Sequence, residues 1–264
     1  YSDKNNRAAN FSLENVPYKP KHSLPISLDG FAEGDFTLIF GFPGRTQEYL
    51  PSQAVAMTQD RTDPTRVEIR DMALKIMDED MRADAGTKLL YASKYATVAN
   101  GWKKWLGEMQ GLRTSNAVEK RKSTELQFRA AVEGNADWKR QFGTILGDFD
   151  KIYTEFAPYS EAKDRYRETV GNCALLSLAT ELHSLSHAYD AKNPQPFEEA
   201  RKNVKNTATA FFKENKLSTD QKIFAALTQL FFKKNPANWS STRALSMIKK
   251  GDYAAFSQKI YQKS

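Results

Sequence analysis

Residues 63–77 have the sequence DPTRVEIRDMALKIM, and this stretch decides the fold class. Aspartate is a residue type that caps helices and proline suits a first helical position, so Asp63 and Pro64 predict the start of a helix. Apolar residues then recur at spacings of three and four, namely Ile69, Met72, Ala73, Ile76 and Met77. This spacing predicts an amphipathic helix with one apolar face.

The helical pattern continues to the end of the chain. Residues 84–112 place aromatic side chains, Tyr91, Tyr95 and Trp102 among them, on one helical face. Further helices are predicted at 116–132, 137–156, 160–190, 196–214, 219–234 and 240–261. Joints are predicted at Pro158, Pro194, Pro196 and Pro236. The sequence therefore predicts a mainly α fold, an irregular helical bundle.

The first 61 residues have a different pattern. Short apolar runs at 24–28, 36–42 and 54–57 are separated by turn residues and predict β-strands. Two or three strands form no stable sheet by themselves in water. We therefore expect a short β-rich segment at 1–61, part of a sheet whose other strands lie elsewhere, followed by a helical domain at 62–264.

Composition narrows the function classes. The chain has 264 residues, of which 40% are hydrophobic and 27% charged, as in globular proteins. Lysine and arginine total 39 against 32 aspartate and glutamate, a net charge of +7, but the basic residues alternate with acidic ones. This mixture indicates solvated helix faces rather than a nucleic-acid-binding stripe. No apolar run approaches the ~20 residues of a membrane-spanning helix.

No self-contained catalytic, metal or cofactor site is predicted. His183 and His187 have the spacing of metal ligands, but no third ligand accompanies them. Cys173 lies in an apolar stretch, which predicts a buried structural thiol. His22 has no obvious serine or aspartate partner in the sequence, and the chain has no phosphate-binding or dinucleotide fingerprint. No serine lies in a Gly-x-Ser-x-Gly nucleophile elbow.

The segment Ala99-Asn100-Gly101 stands out within the second predicted helix. Asparagine and glycine both weaken a helix interior, together by roughly 1.5 kcal/mol relative to alanine. Asn100 points away from the aromatic face, toward a surface on which Ala92, Ala96 and Ala99 leave little side-chain bulk. Either the helix breaks here, or an amide is presented to a ligand. The residues alone leave both alternatives open.

Four motifs in order, and a fifth further on, resemble one family. They are NVPYKPKH at 15–22, LPISL at 24–28, GDF at 34–36, GFPGRT at 41–46 and KYATVANGWKKW at 94–105. These motifs are similar to those of the bacterial exo-dipeptidyl serine peptidases, the family typified by dipeptidyl aminopeptidase BII and dipeptidyl peptidases 7 and 11. The match is specific over the first ~110 residues and weaker beyond them.

The resemblance implies a chymotrypsin-like double β-barrel with a Ser-His-Asp triad, covered by an inserted helical capping domain. The family's triad segments have no counterpart here, so the resemblance implies an internal fragment that hydrolyses nothing alone. The β-rich segment would be left over from the barrel. The implied partners are an oligopeptide substrate with a free N-terminus and the remainder of the barrel, and the implied location is the periplasm or cell surface. The oligomeric state stays open.

One functional residue carries over from the resemblance. In the family, an asparagine of the segment that matches Ala99-Asn100 helps to bind the α-ammonium group of the substrate, which makes Asn100 the expected substrate-binding residue. Gly101 departs from the larger residue often found there. Arg45 and Thr46 also match, and we expect a turn there rather than a substrate contact. The alternative function is a non-enzymatic helical scaffold that binds a protein or peptide partner through exposed aromatic residues.

Overall fold

The computed structural model describes residues 2–10, 12–38, 40–41, 44, 46–189, 193–248 and 251–262. The chain divides into two compact units, Tyr1–Gln47 and Glu48–Ser264. The predicted division into 1–61 and 62–264 concerns the domains of a longer enzyme and stays a prediction.

The second unit is helical, which confirms the predicted fold class. Its described residues form eleven α-helices: α1 Ser52–Met57, α2 Asp63–Ala83, α3 Ala85–Thr114, α4 Ala117–Glu133, α5 Ala136–Phe142, α6 Ile145–Asn172, α7 Ala174–His187, α8 Gln195–Glu214, α9 Leu217–Lys234, α10 Thr242–Met247 and α11 Tyr253–Tyr261. A π-helical turn, Thr58–Thr62, joins α1 to α2, and a 3-10 turn, Ala237–Trp239, follows α9. Among the described helices, none combines the length and apolar character that crossing a membrane requires.

The first unit has little regular structure among its described residues. Ser2 makes isolated antiparallel bridges to Ala8 and Val16. The predicted strands at 24–28 and 36–42 are not formed in the described part of this unit, and Ile39 and Phe42 lie outside the described residues. A strand needs backbone partners, and the backbone hydrogen bond found between residues 21 and 41 closes the turn from Ala32 to Asp35.

The strand predicted at 54–57 is wrong, because these residues belong to α1. Both carboxylate oxygens of Glu125 in α4 accept hydrogen bonds from Ser52, one from its backbone nitrogen at 2.6 Å and one from its hydroxyl at 2.7 Å. The chain is therefore already helical before Asp63, where the sequence predicted the first helix to start. Pro64 has no N–H and its ring crowds the preceding turn, which the wider π-helical turn accommodates.

The proline-based joints were only partly right. Pro158 lies inside α6, although an interior proline removes a hydrogen bond and costs about 3 kcal/mol. Packing of α6 against α2 and α9 outweighs this local penalty. The break comes instead at Cys173, whose extended backbone separates α6 from α7.

The core is built around α2, which packs against α3, α6 and α9. The predicted apolar face of α2 points into it: Ile69, Ala73 and Met77 are fully buried. Tyr91 and Val98 of α3 are buried against this face. The buried side chains from α9 and the C-terminal segment are Ile223, Phe224, Leu227, Leu230, Ile248 and Phe256.

A buried carboxylate ties three helices of this unit together. Asp220 of α9 has no solvent exposure and accepts hydrogen bonds from the backbone nitrogens of Ala174 at 2.8 Å and Leu175 at 3.0 Å. It therefore caps α7 although it belongs to another helix. The hydroxyl of Tyr261 in α11 donates to the same carboxylate at 2.6 Å. Asp220 thus fixes the start of α7 and the end of α11.

Arginines and carboxylates line the interface between α2 and α6. Arg66 donates to both carboxylate oxygens of Asp164, at 3.1 and 3.0 Å, and contacts Asp63 at 3.2 Å. Asp63 is fully buried, and its second oxygen, Oδ2, has no partner among the described residues. Burial and the nearby Glu108 raise the pKa of Asp63 to about 6, against the opposing charges of Arg66 and Lys104.

We predict that Asp220→Ala lowers the free energy of unfolding by about 3–5 kcal/mol, because it leaves two helix N–H groups and the Tyr261 hydroxyl without their acceptor. Asp252→Ala is a matched control, since the exposed Asp252 caps α11 through a single bond to the nitrogen of Ala255. That variant should lose only about 1 kcal/mol. Urea unfolding of the variants checks this, and equal losses would contradict the role of Asp220.

A second prediction concerns pH. The raised pKa means that folded Asp63 binds more protons than unfolded Asp63, so its contribution to stability is complete below about pH 4 and disappears as pH rises through about 6. Asp63→Asn abolishes this titration. The stability of the variant relative to the unmodified protein should therefore improve by about 2–3 kcal/mol between pH 4 and pH 7. Urea unfolding at several pH values measures this difference, and a difference independent of pH would contradict the assignment.

Candidate functional site

Asn100 lies in the middle of α3, which continues unbroken from Ala85 to Thr114. The predicted alternative of a helix break at Asn100-Gly101 is therefore wrong. Asp84 caps the helix by accepting a hydrogen bond from the nitrogen of Thr87 at 2.9 Å. Tyr91 and Val98 bury one face of α3 while Asn100 is exposed on the other, as the helical spacing predicted.

The side-chain amide of Asn100 has no partner among the described residues. Its neighbours on the same helical face are Ala96, Thr97, Lys103 and Lys104, and all four are exposed. Alanine and threonine leave room beside the amide, whose oxygen accepts hydrogen bonds and whose nitrogen donates them. Lys104 is paired with Glu108 at 2.7 Å. This face can therefore offer an unengaged hydrogen-bond acceptor to a cationic group.

Directly after Asn100, the helix is in close contact with an arginine of α2. The Nη1 atom of Arg70 donates a hydrogen bond to the backbone carbonyl of Val98 at 3.1 Å. A Cβ atom built on Gly101 would overlap this Nη1 and would lie 3.0 Å from the Cζ atom of Arg70. Glycine at 101 is thus what lets the guanidinium reach the backbone of α3.

Two further groups hold the Arg70 guanidinium in place. Its Nε donates to Oε2 of Glu168 in α6 at 2.7 Å, and its Nη2 lies 3.4 Å from Oε1 of the same residue. Its Cζ lies 4.4 Å from the ring centroid of Trp105, which is the geometry of a cation–π contact. The surroundings of Asn100 are therefore built from three helices.

The sequence pattern did not single out Arg70 or Glu168, although it carries a signal. Arg66 and Arg70 are four residues apart on α2, and Asp164 and Glu168 are four apart on α6. Equal spacings of opposite charges on two helices predict a pair of interhelical salt bridges. The pairing became visible only once the structure placed the two helices side by side, since 98 residues separate each arginine from its carboxylate.

The other sequence-predicted residues lie elsewhere. The rings of His183 and His187 meet edge to face with centroids 4.4 Å apart, and within the described residues no group of three metal-ligating side chains occurs. Cys173 is fully buried, as predicted, and burial together with Asp220 raises the pKa of its thiol to about 12. Arg45 lies outside the described residues, and Thr46 is exposed outside any regular element.

Comparison with known proteins agrees with the resemblance noted in the motifs. A model of the Peptidase S46 family matches residues 1–264. An Asp/Glu-specific dipeptidyl-peptidase of Flavobacterium psychrophilum is 43% identical over 100% of this chain and 36% of its own length. A dipeptidyl-peptidase 7 of Porphyromonas endodontalis is 30% identical over 100% of this chain and 32% of its own length.

A solved structure shares the fold. The crystal structure of Porphyromonas endodontalis DPP11 in complex with the dipeptide Arg-Asp matches 100% of this chain and 38% of its own, with a TM-score of 0.65 and 25% identity. The chain spans only 36% and 32% of the length of the two curated relatives above. With a family model that matches it from end to end, the chain belongs to the peptidase S46 family.

Proposed function

We propose that this chain is the substrate-capping part of a longer serine dipeptidyl aminopeptidase that releases dipeptides from peptide N-termini. Family membership supports the activity, since the relatives are dipeptidyl-peptidases. The observation that carries the role of this part is Asn100, an exposed and unpartnered amide in the middle of an unbroken helix.

The chemistry of Asn100 fits recognition of a free N-terminus. An ammonium group donates up to three hydrogen bonds, and the Oδ1 atom of asparagine accepts them without carrying a charge. The small side chains of Ala96 and Thr97, on the N-terminal side of Asn100, leave space for the end of a peptide. A helix that closes the cleft beyond the second residue of the substrate limits the product to a dipeptide.

The N-terminal unit supports a role beside the remainder of a β-barrel. Large apolar side chains at every second position of its two predicted strands are exposed, with exposed fractions from 77% at Leu38 to 96% at Phe40. The complete set is Leu24, Ile26, Leu28, Phe36, Leu38 and Phe40. A period of two is that of a strand with one apolar face, and such a face is stable only when covered by other strands.

The catalytic serine, histidine and aspartate are proposed to lie in other parts of the enzyme. In the part of the chain that the structure describes, no imidazole of His22, His183 or His187 forms a hydrogen bond with a serine hydroxyl or an aspartate. A triad requires the imidazole to accept the serine proton and the aspartate to orient the imidazole. We therefore expect the isolated chain to be inactive.

Export to the periplasm or cell surface stays a prediction from the resemblance.

The comparisons also favour one substrate class. The relative named as Asp/Glu-specific is 43% identical to this chain, against 30% for the relative named dipeptidyl-peptidase 7. The dipeptide bound in the solved neighbour, Arg-Asp, ends in an acidic residue. We propose that the enzyme prefers an acidic residue as the second residue of the substrate.

The alternative, a helical scaffold that binds a protein partner, is supported by one surface feature. Phe128 of α4 and Phe142 at the end of α5 are each 39% exposed and line a groove of about 410 Å³. Asn100 discriminates between the two functions, because a scaffold would not need its amide for the turnover of peptides.

We predict that Asn100→Ala in the full-length enzyme lowers kcat/KM for peptides with a free N-terminus by about 10- to 100-fold, because it removes a hydrogen bond to a charged group. Asn206→Ala, the same substitution at an exposed position in the middle of α8, is the matched control and should change nothing. Release of a chromogenic group from dipeptidyl substrates measures the effect. Equal kinetics for the two variants would remove Asn100 from the site and favour the scaffold.

We also predict that the full-length enzyme cleaves after Xaa-Glu in preference to Xaa-Leu by a factor on the order of 100, as expected of a site built to pair a buried charge. The ratio of kcat/KM for two substrates that differ only at this residue measures it. A preference for leucine would overturn the acidic assignment and leave the dipeptidyl-peptidase activity standing.

A further inference from the structure

Each of the three guanidinium nitrogens of Arg70 has a hydrogen-bond partner. Its Nε and Nη2 face the Glu168 carboxylate at 2.7 and 3.4 Å, and its Nη1 donates to the Val98 carbonyl at 3.1 Å. The Trp105 ring packs against the guanidinium with its centroid 4.4 Å from Cζ. Arg70 and Glu168 have side-chain exposures of only 20% and 13%. These contacts restrict the position of the planar guanidinium.

The contact with α3 lies on the two sides of Asn100. The Val98 carbonyl is two residues before it, and the Cα of Gly101 is one residue after it. Within a helix the Val98 carbonyl already accepts from the residue four further on, so the Arg70 bond is an additional one. These contacts resist both rotation and sliding of α3 at this turn.

Gly101 leaves the room that this arrangement uses. Glycine in a helix interior is unfavourable relative to alanine, and any side chain here would meet the guanidinium. The other three glycines of α3 differ, because Cβ atoms built on Gly107 and Gly111 meet nothing within 4 Å and one built on Gly86 meets the Asp84 carboxylate no closer than 3.6 Å. Among the glycines of α3, Gly101 is thus the one at which a Cβ atom would overlap a neighbouring side chain.

We propose that Arg70 is the positioning residue for Asn100. Glu168 holds the Arg70 guanidinium, and Gly101 leaves room for it beside the backbone of α3. This inference rests on the proposed role of Asn100 in binding the substrate ammonium. Arg70 touches no substrate. It fixes the turn of α3 that carries Asn100, so that the amide meets the ammonium without first having to be ordered.

The test is a double-mutant cycle in the full-length enzyme, with active sites counted by titration with a serine-reactive phosphonate. Gly101→Ala should lower kcat/KM for a free-N-terminus substrate about 10-fold or more, because it displaces the guanidinium. In an Asn100→Ala background, the same change should lower kcat/KM by less than about 3-fold, since the residue being positioned is absent.

Arg70→Lys provides an independent variant that keeps the charge and the pairing with Glu168 but cannot also reach the Val98 carbonyl. It should lower kcat/KM as Gly101→Ala does. It replaces Gly101→Ala in the double-mutant cycle if that variant does not fold. The matched controls are Gly111→Ala, which meets no neighbour, and Arg82→Lys, at a 79% exposed arginine of α2 paired with Asp78. Both controls should leave kcat/KM unchanged.

Two results would overturn the inference, and they are distinguishable. If Asn100→Ala is impaired but the Gly101 and Arg70 variants lose the same factor in either background, Arg70 acts independently of Asn100 and has only a structural role. If Asn100→Ala itself has normal kinetics, the proposed function of Asn100 fails and the positioning role fails with it.

Discussion

Two arginines of the central helix α2 are matched by two carboxylates of α6, and the rest of the helical unit depends on this arrangement. Arg66 pairs with Asp164 and Arg70 pairs with Glu168. The two arginines are four residues apart in α2, and the two carboxylates are four residues apart in α6. Taking such charges out of water is costly unless each one is paired and hydrogen-bonded. A shift of α6 by one residue would separate both pairs. The match therefore sets the register of the two helices. The Nη1 atom of Arg70, which does not contact Glu168, binds the backbone of α3.

The same interactions connect stability with the candidate site. Arg70 links α2, α3 and α6 at the turn that carries Asn100, while Asp220 connects α7, α9 and α11. The side chain of Asn100 is exposed and makes no hydrogen bond with the described residues. A residue that the fold does not need, on a backbone that the fold fixes firmly, is the arrangement expected of a binding group.

The sequence predicted the helices where a period of 3.6 runs over several turns, as in α2 and α3. It failed at residues 54–57, because a run as short as Ala-Val-Ala-Met has no period that separates a strand from a helix. The contact that decides the matter, from Ser52 to Glu125, joins residues 73 positions apart. Pro158 was misjudged for a similar reason, since tertiary packing of α6 outweighs a local penalty. The helical spacing predicted the exposed position of Asn100, whose role in substrate binding stays a proposal, and the place of Gly101 was understood only when Arg70 was found beside it.

The most direct test of the account is a crystal structure of the full-length enzyme with a bound dipeptide. We expect Oδ1 of Asn100 within about 2.7–3.2 Å of the α-nitrogen of the dipeptide, on an unbroken α3 with Arg70 still bonded to the Val98 carbonyl. A dipeptide whose α-nitrogen is held entirely by other residues, with Asn100 facing solvent, would contradict the account.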